Sequence, residues 1–117
     1  LKASITSVRA LYPDKKISGI FQPHLYTRTR DFYKEFAAAL SLLDELILLD
    51  IYPAREQPIP GVTSKLIFDK VTCSNKELCH KDMLLEKIKQ RNFEVLITLG
   101  AGDIDRMLPA IKEILSA

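Results

Sequence analysis

Gly19-Ile-Phe-Gln-Pro-His-Leu-Tyr-Thr-Arg-Thr-Arg-Asp-Phe-Tyr33 joins an apolar strand to an amphipathic helix through a loop bearing one histidine and two arginines. Residues 17–21 have the short apolar run of a buried strand. Phe32, Phe36, Leu40 and Leu43 then recur at helical spacing, which predicts a helix over about 30–43. On that reading Arg28 and Arg30 fall at or just before the first helical turn. A helix N-terminus already carries partial positive charge from its unpaired N–H groups, so two cations there break a local rule. A bound anion compensates such a break, and the planar fork of arginine grips carboxylate or phosphate bidentately. The plainer alternative is a solvated loop whose arginines pair with Asp31 and Glu35.

Outward from this stretch, strands and helices alternate. Ile5, Val8, Leu11 and Tyr12 predict a first helix, stopped by Pro13-Asp14. After Asp44, the run Leu46-Ile-Leu-Leu-Asp-Ile51 shows no alternation, as expected of a parallel strand covered on both faces. Residues 52–61 hold three prolines and a glycine and form a long loop. A short helix is expected over 63–69, a short strand at Val71-Thr72-Cys73, and a helix from Asp82 to Gln90. Glu94-Val-Leu-Ile-Thr-Leu99 is a strand, Gly100-Ala-Gly-Asp103 a turn, and a last helix runs from about Ile104 to Leu115 with Asp103 as its N-cap.

The alternation predicts an α/β fold, Rossmann-like, with a mostly parallel sheet and helices on both faces. Such sheets bind ligands beyond the carboxyl ends of their strands, which gathers residues 22–30, 52–62 and 100–103 at one edge. His24, at the end of a strand, suits anion binding or proton transfer, though a lone histidine is often structural. Gly100 and Gly102 let backbone N–H groups face an anion, or they serve only a tight turn. The Gly100–Asp103 stretch is too short for a dinucleotide fingerprint or a P-loop, and no lysine follows it.

At 117 residues the chain is long enough for one domain, 1–117, with its own core, and a start at Leu1 suggests a piece of something longer. The net charge of +2 gives no general attraction to nucleic acid or to an anionic membrane, so any anion site is local. No run is long enough for a membrane span, and no signal peptide is visible. Cys73 and Cys79 form no Cys-x-x-Cys pair, and with His80 they give at most three metal ligands. Reduced thiols and no metal site are therefore expected.

Asp50 resembles the phospho-acceptor of response-regulator receivers. The first strand, however, ends Phe21-Gln-Pro-His24 without the acidic pair that holds Mg²⁺ there, and the late strand ends Thr98-Leu-Gly100 without the lysine. Three segments taken together are more specific: Phe21-Gln-Pro-His-Leu-Tyr-Thr-Arg-Thr-Arg-Asp31, Asp50-Ile-Tyr-Pro-Ala-Arg-Glu-Gln-Pro-Ile-Pro-Gly61 and Thr98-Leu-Gly-Ala-Gly-Asp-Ile104. They resemble the Mur ligases, and within them the members that join L-alanine to UDP-N-acetylmuramate. The resemblance covers essentially the whole chain, as the C-terminal domain of a three-domain enzyme.

That resemblance implies ATP-dependent amide formation in bacterial peptidoglycan synthesis, in the cytoplasm, with ATP and Mg²⁺ bound mainly outside this chain. The muramate carboxylate becomes an acyl phosphate, which the alanine amine attacks. This domain would close over the central ATP-binding domain of the same polypeptide and bind the amino acid. His24 and Arg28 would contact the L-alanine carboxylate. Arg30, Tyr52, Arg55, Gly100, Gly102 and Asp103 would support the cleft loops. No catalytic residue is implied here, so the chain alone is expected to be inactive. The sequence departs from the family at Leu25, where many members carry arginine, and at Arg55, where glycine is expected; with Leu25 present, more of the carboxylate binding falls to Arg28. Two competitors are a ligase domain that attaches a murein tripeptide to the same sugar nucleotide and a standalone anion-binding α/β module.

Overall fold

β1 (Ile17–Gln22) and β2 (Glu45–Leu49) are buried along their whole length and form the centre of the sheet. In the computed structural model, which describes residues 1–100 and 102–116, they are flanked by β3 (Asn75–Cys79) and β4 (Val95–Gly100). The order is β3-β2-β1-β4, with every pairing parallel. The helices are α1 (Lys2–Leu11), α2 (Tyr26–Leu40), α3 (Lys65–Phe68), α4 (Leu84–Lys89) and α5 (Asp103–Ser116). The α/β reading of the sequence therefore holds.

Alternate residues of the central strands feed two cores. Ile17, Phe21, Leu46 and Leu48 pack against Ile5 of α1, Ala37 and Leu40 of α2 and Ile67 of α3. Ile20, Ile47 and Leu49 face the other way, onto Leu84 and Ile88 of α4 and Ile104 and Ile111 of α5. Burying each Leu or Ile contributes roughly 1.5–3 kcal/mol, so packing on both faces holds the helices to the sheet. At the amino ends of the strands, Glu45 is buried but paired: it accepts from Ser18 Oγ at 3.0 Å and Asn75 Nδ2 at 2.8 Å, with Arg91 Nη1 at 3.4 Å. Asp44 accepts from the Ile17 N–H at 2.8 Å and from Arg9 at 2.9 Å, which fastens α1 to the link into β2.

Several expected boundaries move. The helix read at 30–43 spans Tyr26–Leu40, so Arg28 lies inside its first turn and Arg30 in the second. Periodicity misses the start because Tyr26-Thr-Arg-Thr29 carries no apolar stripe; buried Thr29 holds this turn, with its N–H and Oγ1 both donating to the Leu25 carbonyl at 3.2 and 2.9 Å. No strand forms at Val71–Cys73. The strand is Asn75–Cys79, whose polar sequence gives no apolar signal; it pairs on one side alone, with β2, and only Cys79 in it is fully buried. The helix expected from Asp82 to Gln90 is a 3₁₀ turn, Lys81–Met83, followed by α4. β2 stops at Leu49, so Asp50 lies just beyond it.

Candidate functional site

The three segments do meet at the carboxyl edge of the sheet. His24 and Tyr52 extend the β1–β2 pairing by one parallel bridge beyond the strands. The Tyr52 N–H donates to the Pro23 carbonyl and the Leu25 N–H to the Tyr52 carbonyl, each at 2.8 Å. Gly100, at the end of β4, lies opposite Gln22 in register. Ala101, in the middle of the expected Gly100–Asp103 turn, lies outside the described residues.

His24, Arg28 and Gly100 line one cleft of about 240 Å³, together with Phe21, Gln22, Phe36 and Leu1. Two candidate hydrogen-bond donors to an anion thus share a cavity whose other walls are largely apolar. Arg28 is exposed, with its guanidinium 5.5 Å from the Phe32 ring centroid. It makes no ion pair among the described residues. Stacking on an aromatic face leaves the fork of donors free.

The anion called for at the helix N-terminus is partly the protein's own. Glu56, from the loop after β2, accepts from the Thr27 N–H at 3.1 Å and from the Thr27 hydroxyl. Those bonds, led by the hydroxyl, hold its carboxyl below the ordinary value. Leu25, the residue before α2, offers no side-chain cap, so Glu56 takes that place. Sequence reasoning missed Glu56, which lies 29 residues from Thr27 and becomes a cap only when the loops meet.

Arg30 is turned away and pairs with adjacent Asp31 at 2.8 Å, both side chains half exposed. Arg55 is exposed and makes no hydrogen bond or ion pair among the described residues. Neither is brought to the His24–Arg28 cleft. Asp103 is the first residue of α5 and not, as expected, the residue before it. It accepts from Gln22 Nε2 at 3.0 Å and Lys81 at 3.3 Å, while Asp105 Oδ2 takes the Gly102 N–H at 3.3 Å. Gln22, the polar residue that ends β1, is 1 % exposed and its role was also missed. Both glycines are required by close approach and by backbone at φ +95° and +112°. A Cβ at Gly100 would stand 2.1 Å from the Gln22 carbonyl oxygen, and one at Gly102 would stand 2.4 Å from the Tyr52 ring.

Leu25 adopts φ +72°, ψ +139°, a conformation that only glycine takes readily. It therefore stores strain between His24 and the start of α2. Among the described residues no group of three or more His, Cys, Asp or Glu side chains is placed to hold a metal ion.

No protein-family model matches the chain. It is 63% identical over 115 residues to the UDP-N-acetylmuramate–L-alanine ligase of Parabacteroides distasonis, covering 98% of this chain and 25% of that protein. It is 62% identical over 117 residues to the enzyme of the same name from Phocaeicola vulgatus, covering 99% and 26%. The chain thus spans about a quarter of the length of the curated relatives it matches. Among solved structures, UDP-N-acetylmuramate–alanine ligase MurC from Thermotoga maritima superposes with a TM-score of 0.66. That match has 23% identity and covers 98% of this chain and 23% of that one, a likeness of fold.

Proposed function

We propose that this chain, a member of the Mur ligase family by its full-length identity with a segment of UDP-N-acetylmuramate–L-alanine ligases, is the C-terminal, amino-acid-binding domain of such an enzyme. The parent joins L-alanine to UDP-N-acetylmuramate in the bacterial cytoplasm, using ATP and Mg²⁺ held mainly by its other domains. One observation carries the reading for this chain. Arg28 makes no ion pair among the described residues and lines a cleft with His24, whereas Arg30 is paired with Asp31.

A free amino acid offers a carboxylate and an amine. Arg28 and His24 bind the carboxylate, which leaves the amine pointed outward to attack an activated acyl group. On this reading the phosphoryl transfer belongs to the other domains of the parent. Its contribution is positioning, which turns a bimolecular encounter into a nearly unimolecular one, and coverage, which keeps water from the acyl phosphate. The small cleft and its apolar walls, Phe21 and Phe36, suit a short side chain.

The test is steady-state kinetics of the intact ligase carrying Arg28→Ala. The KM for L-alanine should rise while those for ATP and the UDP-sugar stay nearly unchanged. A variant neutral for alanine and harmful for ATP would assign the cleft to the nucleotide instead.

A further inference from the structure

His24 makes no side-chain hydrogen bond among the described residues, although the proposed reading asks its ring to meet a carboxylate in a defined direction. Something other than a polar partner must orient it. We propose that Tyr52 is the positioning residue for His24, fixing both its backbone and its ring plane, and that Gly102 fixes Tyr52 in turn. Only the functional consequence rests on the amino-acid-binding reading.

Three independent contacts support this. First, the hydrogen bonds from Tyr52 N–H to Pro23 and from Leu25 N–H to Tyr52 tie down the residues on either side of His24, so the histidine cannot slide along the sheet edge. Second, the Tyr52 and His24 rings lie 15° from parallel with centroids 5.9 Å apart, an offset stack. Third, the tyrosine ring is packed directly against Gly102. A Cβ at Gly102 would fall 2.4 Å from Tyr52 Cγ and 2.7 Å from Cδ2, so the ring occupies the space a side chain there would need. At the ring's edge, Arg106 Nη2 donates to the Tyr52 hydroxyl at 3.4 Å, with its guanidinium carbon 6.0 Å from the ring centroid. Tyr52 does not itself line the cleft that holds His24 and Arg28, so it acts through the histidine. The arrangement also joins all three loops of the edge: His24 after β1, Tyr52 after β2 and Gly102 after β4.

The structural arm of the test is proton NMR of the 117-residue chain, which holds two histidines and so gives readily separated imidazole signals. The His24 ring protons sit in the ring current of Tyr52. Tyr52→Leu should move them, Tyr52→Phe should leave them close to the parent position because the stack survives, and His80 reports that the fold is intact. Gly102→Ala should move them as well, by displacing the tyrosine without touching His24, and it carries the test should Tyr52→Leu fail to fold. In a Tyr52→Leu background the added methyl should have little further effect on His24. His24 signals unmoved by both Tyr52→Leu and Gly102→Ala, or moved as far by Phe as by Leu, would overturn the proposal.

The functional arm uses the intact ligase. Losing an aromatic pair of this kind corresponds to a rise of roughly 2- to 12-fold in KM for L-alanine, restored by Tyr52→Phe, with the ATP constant unchanged. If the NMR signals move as expected and the alanine constant does not, the positioning stands and the role of His24 in amino-acid binding falls.

Discussion

The side-chain oxygen of Gln22 accepts the Ile104 N–H at 2.8 Å, and its amide nitrogen donates to Asp103 at 3.0 Å. One buried amide therefore joins the end of β1 to the start of α5. Gln22→Leu would leave the Ile104 N–H without its partner, at a cost of about 1–3 kcal/mol. Gln22→Glu keeps an acceptor but sets a second carboxylate against Asp103. Urea unfolding should rank the parent as most stable; a Gln22→Leu midpoint equal to the parent's would remove this amide from the account of the edge.

Leu25 invites the opposite kind of substitution. With φ at +72°, its strain of about 1–3 kcal/mol persists in Leu25→Ala but is relieved in Leu25→Gly. Glycine loses about 0.5–1 kcal/mol relative to alanine through chain entropy. The glycine variant should therefore be the more stable of the two, reversing the usual order. Denaturation of the pair side by side decides it.

Arg28→Ala removes a charge-assisted hydrogen bond to the proposed carboxylate, worth about 1.5–3 kcal/mol, or roughly 10- to 150-fold in alanine affinity. Arg28→Lys should recover part of this, because an ammonium lacks the bidentate fork. Arg30→Ala is the control. Its side chain is engaged with Asp31 on the surface, so the alanine constant should hardly move.

Acid should loosen the link between α1 and the sheet. The Arg9 hydrogen bond, with help from the Ile17 N–H and Lys16, holds the Asp44 carboxyl below its ordinary value despite partial burial. A carboxyl lowered on folding contributes stability above its unfolded pKa of about 3.9 and loses it as pH falls through the lower folded value. Asp44→Asn should therefore flatten the part of the stability profile below about pH 4. A series of unfolding midpoints from pH 6 to pH 2.5 that runs parallel for both proteins would refute this.

Cys73 and Cys79 are free thiols, and burial pushes both above the ordinary thiol value. With little thiolate present at neutral pH, both should react slowly with a disulfide reagent in the native protein. Unfolding without reductant should then release two equivalents. A count of zero would show a disulfide formed in solution.

What could be read from the sequence was what local pattern and composition control. The short, mainly apolar runs at 17–21, 46–51 and 94–99, which lack a polar–apolar alternation and are separated by segments of helical spacing, were enough for a parallel α/β sheet. A parallel sheet then implied that the loops after its strands, with His24, Tyr52 and Gly100, gather at the carboxyl edge, and they do. The elements misjudged were those with no apolar signal of their own. β3 carries a polar sequence in which only Cys79 is fully buried, and the first turn of α2 is held by Thr29 and Glu56 in place of a hydrophobic stripe. Tertiary structure alone decided which arginine is free. Arg28 and Arg30 lie two residues apart in the chain, yet one faces the cleft and the other its neighbour, because positions two apart on a helix point in different directions. Tertiary structure likewise made Glu56 a helix cap, Gln22 a clasp and Gly102 the space for Tyr52, through contacts between residues 29, 82 and 50 positions apart that no local pattern encodes.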